Sequence, residues 1–175
     1  MRNRLESVYK SDGVQRMKAM LLKAVVRLAE NRNPLELAEM PVPAPGAGDL
    51  LVKVSTCGVC HTELDEIEGR TAPAMLPIVP GHQAVGRVAA LGEGVSDYTP
   101  GDRVGMAWIY SACGACGFCR AGFENRCVDF KATGRDAHGG YAEFAVIPAA
   151  FAHRIPAVFS DAEAAPLLCA GAIGY

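Results

Sequence analysis

From Leu50 to Thr56 the side chains alternate. Val52, Val54 and Thr56 share one face, and Leu51, Lys53 and Ser55 share the other. That period of two marks a half-buried strand. Four further runs have strand character: Ala19–Leu28, Val85–Leu91, Val104–Ile109 and Tyr141–Ile147. Turn residues separate them. Asn31-Arg32-Asn33-Pro34 closes the first run, and Pro41, Pro43, Pro45, Gly46 and Gly48 form a stiff exposed connector. Gly92 and Gly94, Pro100-Gly101-Asp102 and Gly139-Gly140 turn the chain between the later runs. Helical signal is scarce until Ser160-Asp161-Ala162-Glu163, whose spacing is that of a capping box. Many short strands with Gly/Pro punctuation predict a mainly β protein with short helices, built as a small barrel or sandwich.

The chain has 175 residues, 50% of them apolar. A domain near this size buries roughly 68–70% of its unfolded surface, so one core is expected. The net charge of −2 points to neither nucleic acid nor a membrane surface as partner. No apolar run approaches the roughly 18 residues that span a bilayer. Residues 1–16 are polar and lack the apolar stretch of a secretory signal; they read as a poorly ordered leader to a domain over 17–175. Seven cysteines with no such signal suggest the reducing cytoplasm, and thiolate ligands rather than disulfides. There is no internal repeat and no G-x-G-x-x-G turn for a dinucleotide.

Four of those cysteines, Cys113, Cys116, Cys119 and Cys127, are spaced C-x2-C-x2-C-x7-C. Four thiolates in one loop make a closed tetrahedral cage, the form of a structural zinc site, in a lobe over about residues 111–130. An iron–sulfur cluster is the competing reading, because C-x2-C-x2-C opens a ferredoxin run. That run closes with three residues and a Cys-Pro, whereas here seven residues intervene and Val128 follows. A second constellation is scattered: Cys60-His61-Thr62, Gly81-His82-Gln83 and Leu168-Cys169-Ala170-Gly171. Two cysteines and a histidine can hold zinc with a fourth position open to water or substrate. Spacing alone does not establish this set, since a lone histidine before a strand is often a hydrogen-bonded structural residue.

Together these segments resemble the N-terminal catalytic half of the zinc-dependent medium-chain alcohol dehydrogenases. Gly58-Val59-Cys60-His61-Thr62-Glu63-Leu64 is similar to the family's G-[VI]-C-[HR]-[ST]-D-L. Gly81-His82-Gln83-Ala84-Val85-Gly86, with Gly92 beyond, resembles its G-H-E-x2-G-x5-[GA]. The cysteine loop, Gly139-Gly140-Tyr141-Ala142-Glu143-Phe144 and Ala165-Pro166-Leu167-Leu168-Cys169-Ala170-Gly171 resemble further family segments, in the same order, from Met17 to Tyr175. The resemblance implies a GroES-like, partly open β-barrel with a small structural-zinc lobe, the nicotinamide-binding Rossmann domain being absent from these residues.

It also implies roles. Cys60, His82 and Cys169 would hold a catalytic zinc, and Cys113, Cys116, Cys119 and Cys127 a structural one. Thr62 would hydrogen-bond the substrate alcohol and pass on its proton. His61 would lie near the cofactor pyrophosphate and join that relay, and Trp108 would wall the substrate pocket. The implied reaction is hydride transfer between an alcohol and NAD or NADP, with an aldehyde or ketone as product. The partners would be a small-molecule alcohol or aldehyde and, in the complete enzyme, further copies of itself. Two departures stand out. Gln83 replaces the usual Glu, which makes the site more electropositive, and Glu63 replaces the usual Asp behind the ligands, one methylene longer. Cys57 forms a C-x2-C pair with Cys60 but reads as a buried thiol at a strand end. His138 and His153 carry no motif. The runner-up function is a non-enzymatic zinc-binding GroES-like assembly module, since GroES shares the fold without being an enzyme.

Overall fold

The computed structural model describes residues 14–175. Residues 1–13 of the expected leader lie outside them, and Arg16 already belongs to the first strand. In chain order, β1 (Arg16–Leu22) pairs antiparallel with β2 (Leu35–Pro41). Then come β3 (Asp49–Cys57), α1 (His61–Ile67), β4 (Ala84–Leu91), β5 (Arg103–Met106) and β6 (Ile109–Ser111). A short α2 (Gly117–Arg120) and a one-turn 3-10 helix (Glu124–Arg126) follow, then β7 (Lys131–Ala132) and β8 (Phe144–Pro148). β9 (Ala152–Arg154) and α3 (Asp161–Pro166) lead into a π turn (Leu167–Gly171) and α4 (Ala172–Gly174).

Five strands form one antiparallel sheet in the order β8-β3-β4-β5-β9. The alternation seen in the sequence is what buries it. Leu50 and Val52 point into a core with Ala84, Val88, Val104, Met106, Ala145 and Ile147, while Lys53 and Ser55 face solvent. Leu51 is buried as well. The register against β4 shifts between Leu51 and Val52, and such a bulge lets neighbouring side chains turn to the same side. The β1–β2 ribbon is joined to the rest by bridges from Ala19 to Ala142 and Leu22 to Ile78.

Four differences from the sequence reading have local causes. The first run stops at Leu22 rather than Leu28, because Leu22 already pairs with Leu35 and Ile78 and the next residues turn over α1, Val26 N–H donating to Ile67 O. Part of the predicted proline connector is β2, whose Pro41 sits at the end of a strand that pairs on one side only, where a missing donor costs nothing. Val104–Ile109 is broken at Ala107-Trp108, so β5 stays in the large sheet while β6 leaves to pair with β7. That pair closes the neck of the cysteine lobe. Helix α1, which the sequence reading did not anticipate, presses Ile67 against Leu22 and Ile78.

The loop before β4 depends on Gly81, whose φ is +98°. A Cβ there would meet the Tyr141 ring at 2.6 Å and Cys57 Sγ at 3.0 Å. Gly81→Ala should therefore destabilise the fold by about 2–4 kcal/mol through backbone strain and overpacking together, read as a fall in the thermal unfolding midpoint; an unchanged midpoint would contradict this packing.

Candidate metal centre and cleft

Cys60 is the N-cap of α1, in extended conformation. The third helical residue, Glu63, turns back so that Oε2 accepts the Cys60 backbone N–H at 2.6 Å. Its other oxygen, Oε1, approaches His82 Nδ1 to 2.6 Å. Both side chains are almost wholly buried, at 3% and 1% exposure. One carboxylate thus fixes the segment carrying Cys60 and the ring of His82 at once. The Glu63 contact is a close ion-pair approach outside hydrogen-bond geometry, and it takes the Nδ1 side of the ring; Nε2 has neither a hydrogen bond nor an ion-pair contact among the described residues. A fully buried nitrogen in that state costs about 1–3 kcal/mol unless something else binds it.

The third residue arrives from the C-terminal end. Ser160 caps α3 as the sequence predicts: its Oγ accepts from Glu163 N–H and Glu163 Oε2 accepts from Ser160 N–H. Arg103 and Ser55 both bind Asp161, which docks α3 on the sheet, and Ala164 and Ala165 pack on Val85. After Pro166 the helix widens into the π turn that carries Cys169. Cys169 Sγ ends 3.9 Å from Cys60 Sγ. The ligand atoms of Cys60, His82 and Cys169 all lie within 4.8 Å of one another. Burial, and then the neighbouring Cys60, push the Cys169 thiol up, with the Gln83 amide partly opposing. A divalent cation would relieve that crowding, and two thiolates with one imidazole form a donor set suited to zinc. The residues fit the metal that the sequence implies.

The four lobe cysteines also converge within 4.8 Å. Backbone N–H groups point at their sulfurs: Cys116 N–H to Cys113 Sγ at 3.3 Å, and Cys113 and Asp129 N–H to Cys127 Sγ at 3.4 Å each. Such N–H groups pull Cys113 down to about 6, while burial and the adjacent Cys116 push Cys119 up to about 12. Metal uptake must displace the Cys119 proton. Cys57 joins neither group; burial pushes its thiol up to about 12, as suits an inert packed cysteine.

A cleft of about 840 Å³ opens beside the three-residue group, lined by Thr62, Trp108 and Cys169 among others. Thr62 Oγ1 lies 3.5 Å from Cys60 Sγ. Trp108 stands edge-on to the His82 ring, centroids 5.1 Å apart. His61 does not line this cleft: its side chain is 76% exposed and rests 3.6 Å from Asp65. His138 accepts a hydrogen bond from Val79 N–H. Gln83 is buried, and its Oε1 occupies the place a Cβ on residue 58 would need, 2.4 Å away, which accounts for Gly58.

The half-open antiparallel sheet is that of a GroES-like domain, and it carries two side-chain groups with the donor sets to hold a metal. The family model for the alcohol dehydrogenase GroES-like domain matches residues 46–157, and the chain belongs to the zinc-type medium-chain alcohol dehydrogenases through this N-terminal domain. Among curated relatives, a probable alcohol dehydrogenase AdhA of Mycobacterium tuberculosis is 49% identical over 147 residues, covering 81% of this chain and 42% of that protein. A thermostable alcohol dehydrogenase of Pyrobaculum aerophilum, solved with cobalt and zinc, superposes with TM-score 0.78 at 30% identity over 87% of this chain and 44% of that one. A dehydrogenase of Sinorhizobium meliloti, described as zinc-binding and solved with NADP, gives TM-score 0.72 at 34% identity over 83% and 40%. The chain spans less than half the length of these proteins. No helix among the described residues is long and apolar enough to cross a membrane.

The sequence reading missed Glu66. It follows Glu63 by three residues, so both carboxyls fall on the buried face of α1. Glu66 is fully buried, and neither oxygen has a hydrogen-bond partner among the described residues. Burial, and then the nearby Glu63, push it up to about 8. A carboxyl raised in the folded state favours folding least above its folded pKa. Its penalty therefore grows from about pH 4.5 to pH 8. Glu66→Gln should stabilise the protein at pH 8 by about 2–4 kcal/mol and leave it nearly unchanged at pH 5. A gain equal at both pH values, in thermal unfolding, would contradict the burial of an ionisable Glu66.

Proposed function

We propose that this chain is the catalytic-domain portion of an alcohol dehydrogenase that moves hydride between an alcohol and NAD(P)+, with one catalytic and one structural zinc. The observation that carries this is the orphaned Nε2 of His82, buried between two thiols at the head of a largely apolar cleft. Cys60, His82 and Cys169 would hold the catalytic ion. Cys113, Cys116, Cys119 and Cys127 would hold the structural one. When bound, the catalytic zinc supplies Lewis acidity to an alcohol oxygen.

The chain's own residues do the rest. Thr62, on the first turn of α1 and facing the cleft, accepts a hydrogen bond from the alcohol hydroxyl and, as it takes that proton, gives up its own. His61, next in sequence and exposed, would receive the relayed proton through intervening water and exchange it with solvent. Trp108 walls the pocket while backing His82. Glu63 keeps the His82 ring turned so that Nε2 faces the thiols, as a carboxylate does behind many histidine ligands. Gln83 brings no charge to the site, so the ion's positive field acts on the substrate less attenuated. Nicotinamide would be held by a dinucleotide fold in the portion of the relatives that this chain does not span, because no glycine-rich phosphate turn occurs among these 175 residues. A purely structural metal module has no use for a three-ligand group opening on a cleft, which favours the enzymatic reading.

The zinc-loaded chain alone, given NAD+ or NADP+ and primary alcohols, should show no turnover above free zinc. A chain carrying a dinucleotide-binding domain after residue 175 should turn over, and Thr62→Val in it should lower kcat by about 10²-fold or more, the range for a lost proton-transfer group. A Thr62→Val enzyme with undiminished kcat would contradict the assignment.

A further inference from the structure

The wall of the cleft carries an asymmetry that neither the metal ligands nor Thr62 explains. Most of it is apolar: Trp108, Ile109, Phe151, Leu168 and Ile173. One carboxylate interrupts it. Glu124 reaches the cleft from the 3-10 turn of the cysteine lobe, with Asn125 beside it. Its carboxylate enters no hydrogen bond or ion pair among the described residues. Nor is it part of the ligand group of Cys60, His82 and Cys169.

No cation among the described residues is paired with Glu124. Arg126 lies over the Phe123 ring at 5.8 Å. Arg135, 5.5 Å over the Trp108 ring, is paired with Asp136 at 2.6 Å. His153 is the only other ionisable side chain on the wall besides the cysteine. Glu124 is thus an unmatched negative charge facing a cleft whose other walls are low-dielectric. Such walls focus a field on whatever occupies the space.

We propose that the cleft selects alcohols bearing a positive charge on the end of the skeleton remote from the hydroxyl, and that Glu124 recognises that charge. The proposal rests on the reading of Cys60, His82 and Cys169 as the alcohol-binding metal site. It gives the cysteine lobe a second task. The backbone of Glu124 accepts the Cys127 N–H at 3.0 Å, so the lobe that gathers four thiols also sets one wall residue of the substrate site.

The test uses the chain loaded with cobalt, whose visible spectrum reports ligand entry at the three-residue site. Two primary alcohols of equal chain length are titrated, one ending in trimethylammonium and the other in tert-butyl. They match in shape and differ by one charge, and neither end group can ligate a metal. The cationic alcohol should bind about fivefold more tightly at low ionic strength, as for a partly exposed ion pair. The difference should shrink with added salt. Glu124→Gln should abolish the preference and Glu124→Lys should invert it, without weakening the neutral alcohol. Equal affinities in the native chain, or a preference that survives Glu124→Gln, would overturn the role of Glu124 and leave the alcohol site standing. If neither alcohol perturbs the cobalt spectrum, the alcohol-site reading falls and the proposal falls with it.

Discussion

The β3–β4 ladder and the Gly58 N–H to Gln83 O bond bring the segments of Cys60 and His82 side by side, and Glu63 fixes how their two functional groups are oriented. One oxygen takes the backbone N–H of Cys60 and the other faces His82 Nδ1, both at 2.6 Å and both out of water. Removing one partner of such a buried pair costs on the order of 3–5 kcal/mol, because the other charge or dipole is left uncompensated. The same contact has a chemical consequence. It turns the imidazole so that Nε2, the nitrogen without a partner, shares a pocket with two thiols. The extra methylene of Glu63, relative to the shorter Asp of the family pattern, therefore still permits both contacts.

The two cysteine-bearing groups solve different electrostatic problems. In the lobe, four thiols crowd together, and backbone N–H groups offset part of their repulsion. In the three-residue group there are fewer sulfurs and one imidazole, and the remaining side faces the cleft. The balance of carboxylates around that group is redistributed rather than lost. Gln83 is neutral, while α1 turns Glu63 and Glu66 to its buried face. With Glu66 pushed up to about 8, it is mostly uncharged at neutral pH, so Glu63 is the carboxylate that acts on His82 there.

Much of this was legible in the residues. The alternation over Leu50–Thr56 and the strand-like run Val85–Leu91 located the two central strands, and the Ser160–Glu163 capping box located α3. The cysteine spacing gave the lobe, because ligands that are neighbours in sequence are neighbours in space. Cys60, His82 and Cys169 are far apart in sequence, and only the resemblance joined them; the structure brings them together. What stayed hidden depends on contacts between distant segments. Helix α1 is seven residues long and acidic, too short for a periodicity to declare itself, and the packing of Ile67 on Leu22 and Ile78 stabilises it. Its one local signal was Glu63 three residues after Cys60, a capping-box spacing with a thiol in place of a hydroxyl. Glu66, Glu124 and Phe151 carry no motif at all, and only the folded chain sets them at the site or in the cleft.

The central claim is a division of labour: the lobe cysteines hold the fold, and the three-residue group holds an ion for chemistry. It is tested most directly by counting bound zinc and measuring thermal unfolding side by side for Cys116→Ser and Cys169→Ala, the latter removing a ligand of the three-residue group without breaking the Glu63–His82 contact. The account predicts that Cys116→Ser lowers the unfolding midpoint sharply as the lobe loses its ion. It predicts that Cys169→Ala loses about one zinc per chain with a smaller change in midpoint. A Cys169→Ala protein that keeps both ions, or that unfolds as readily as Cys116→Ser, would contradict it.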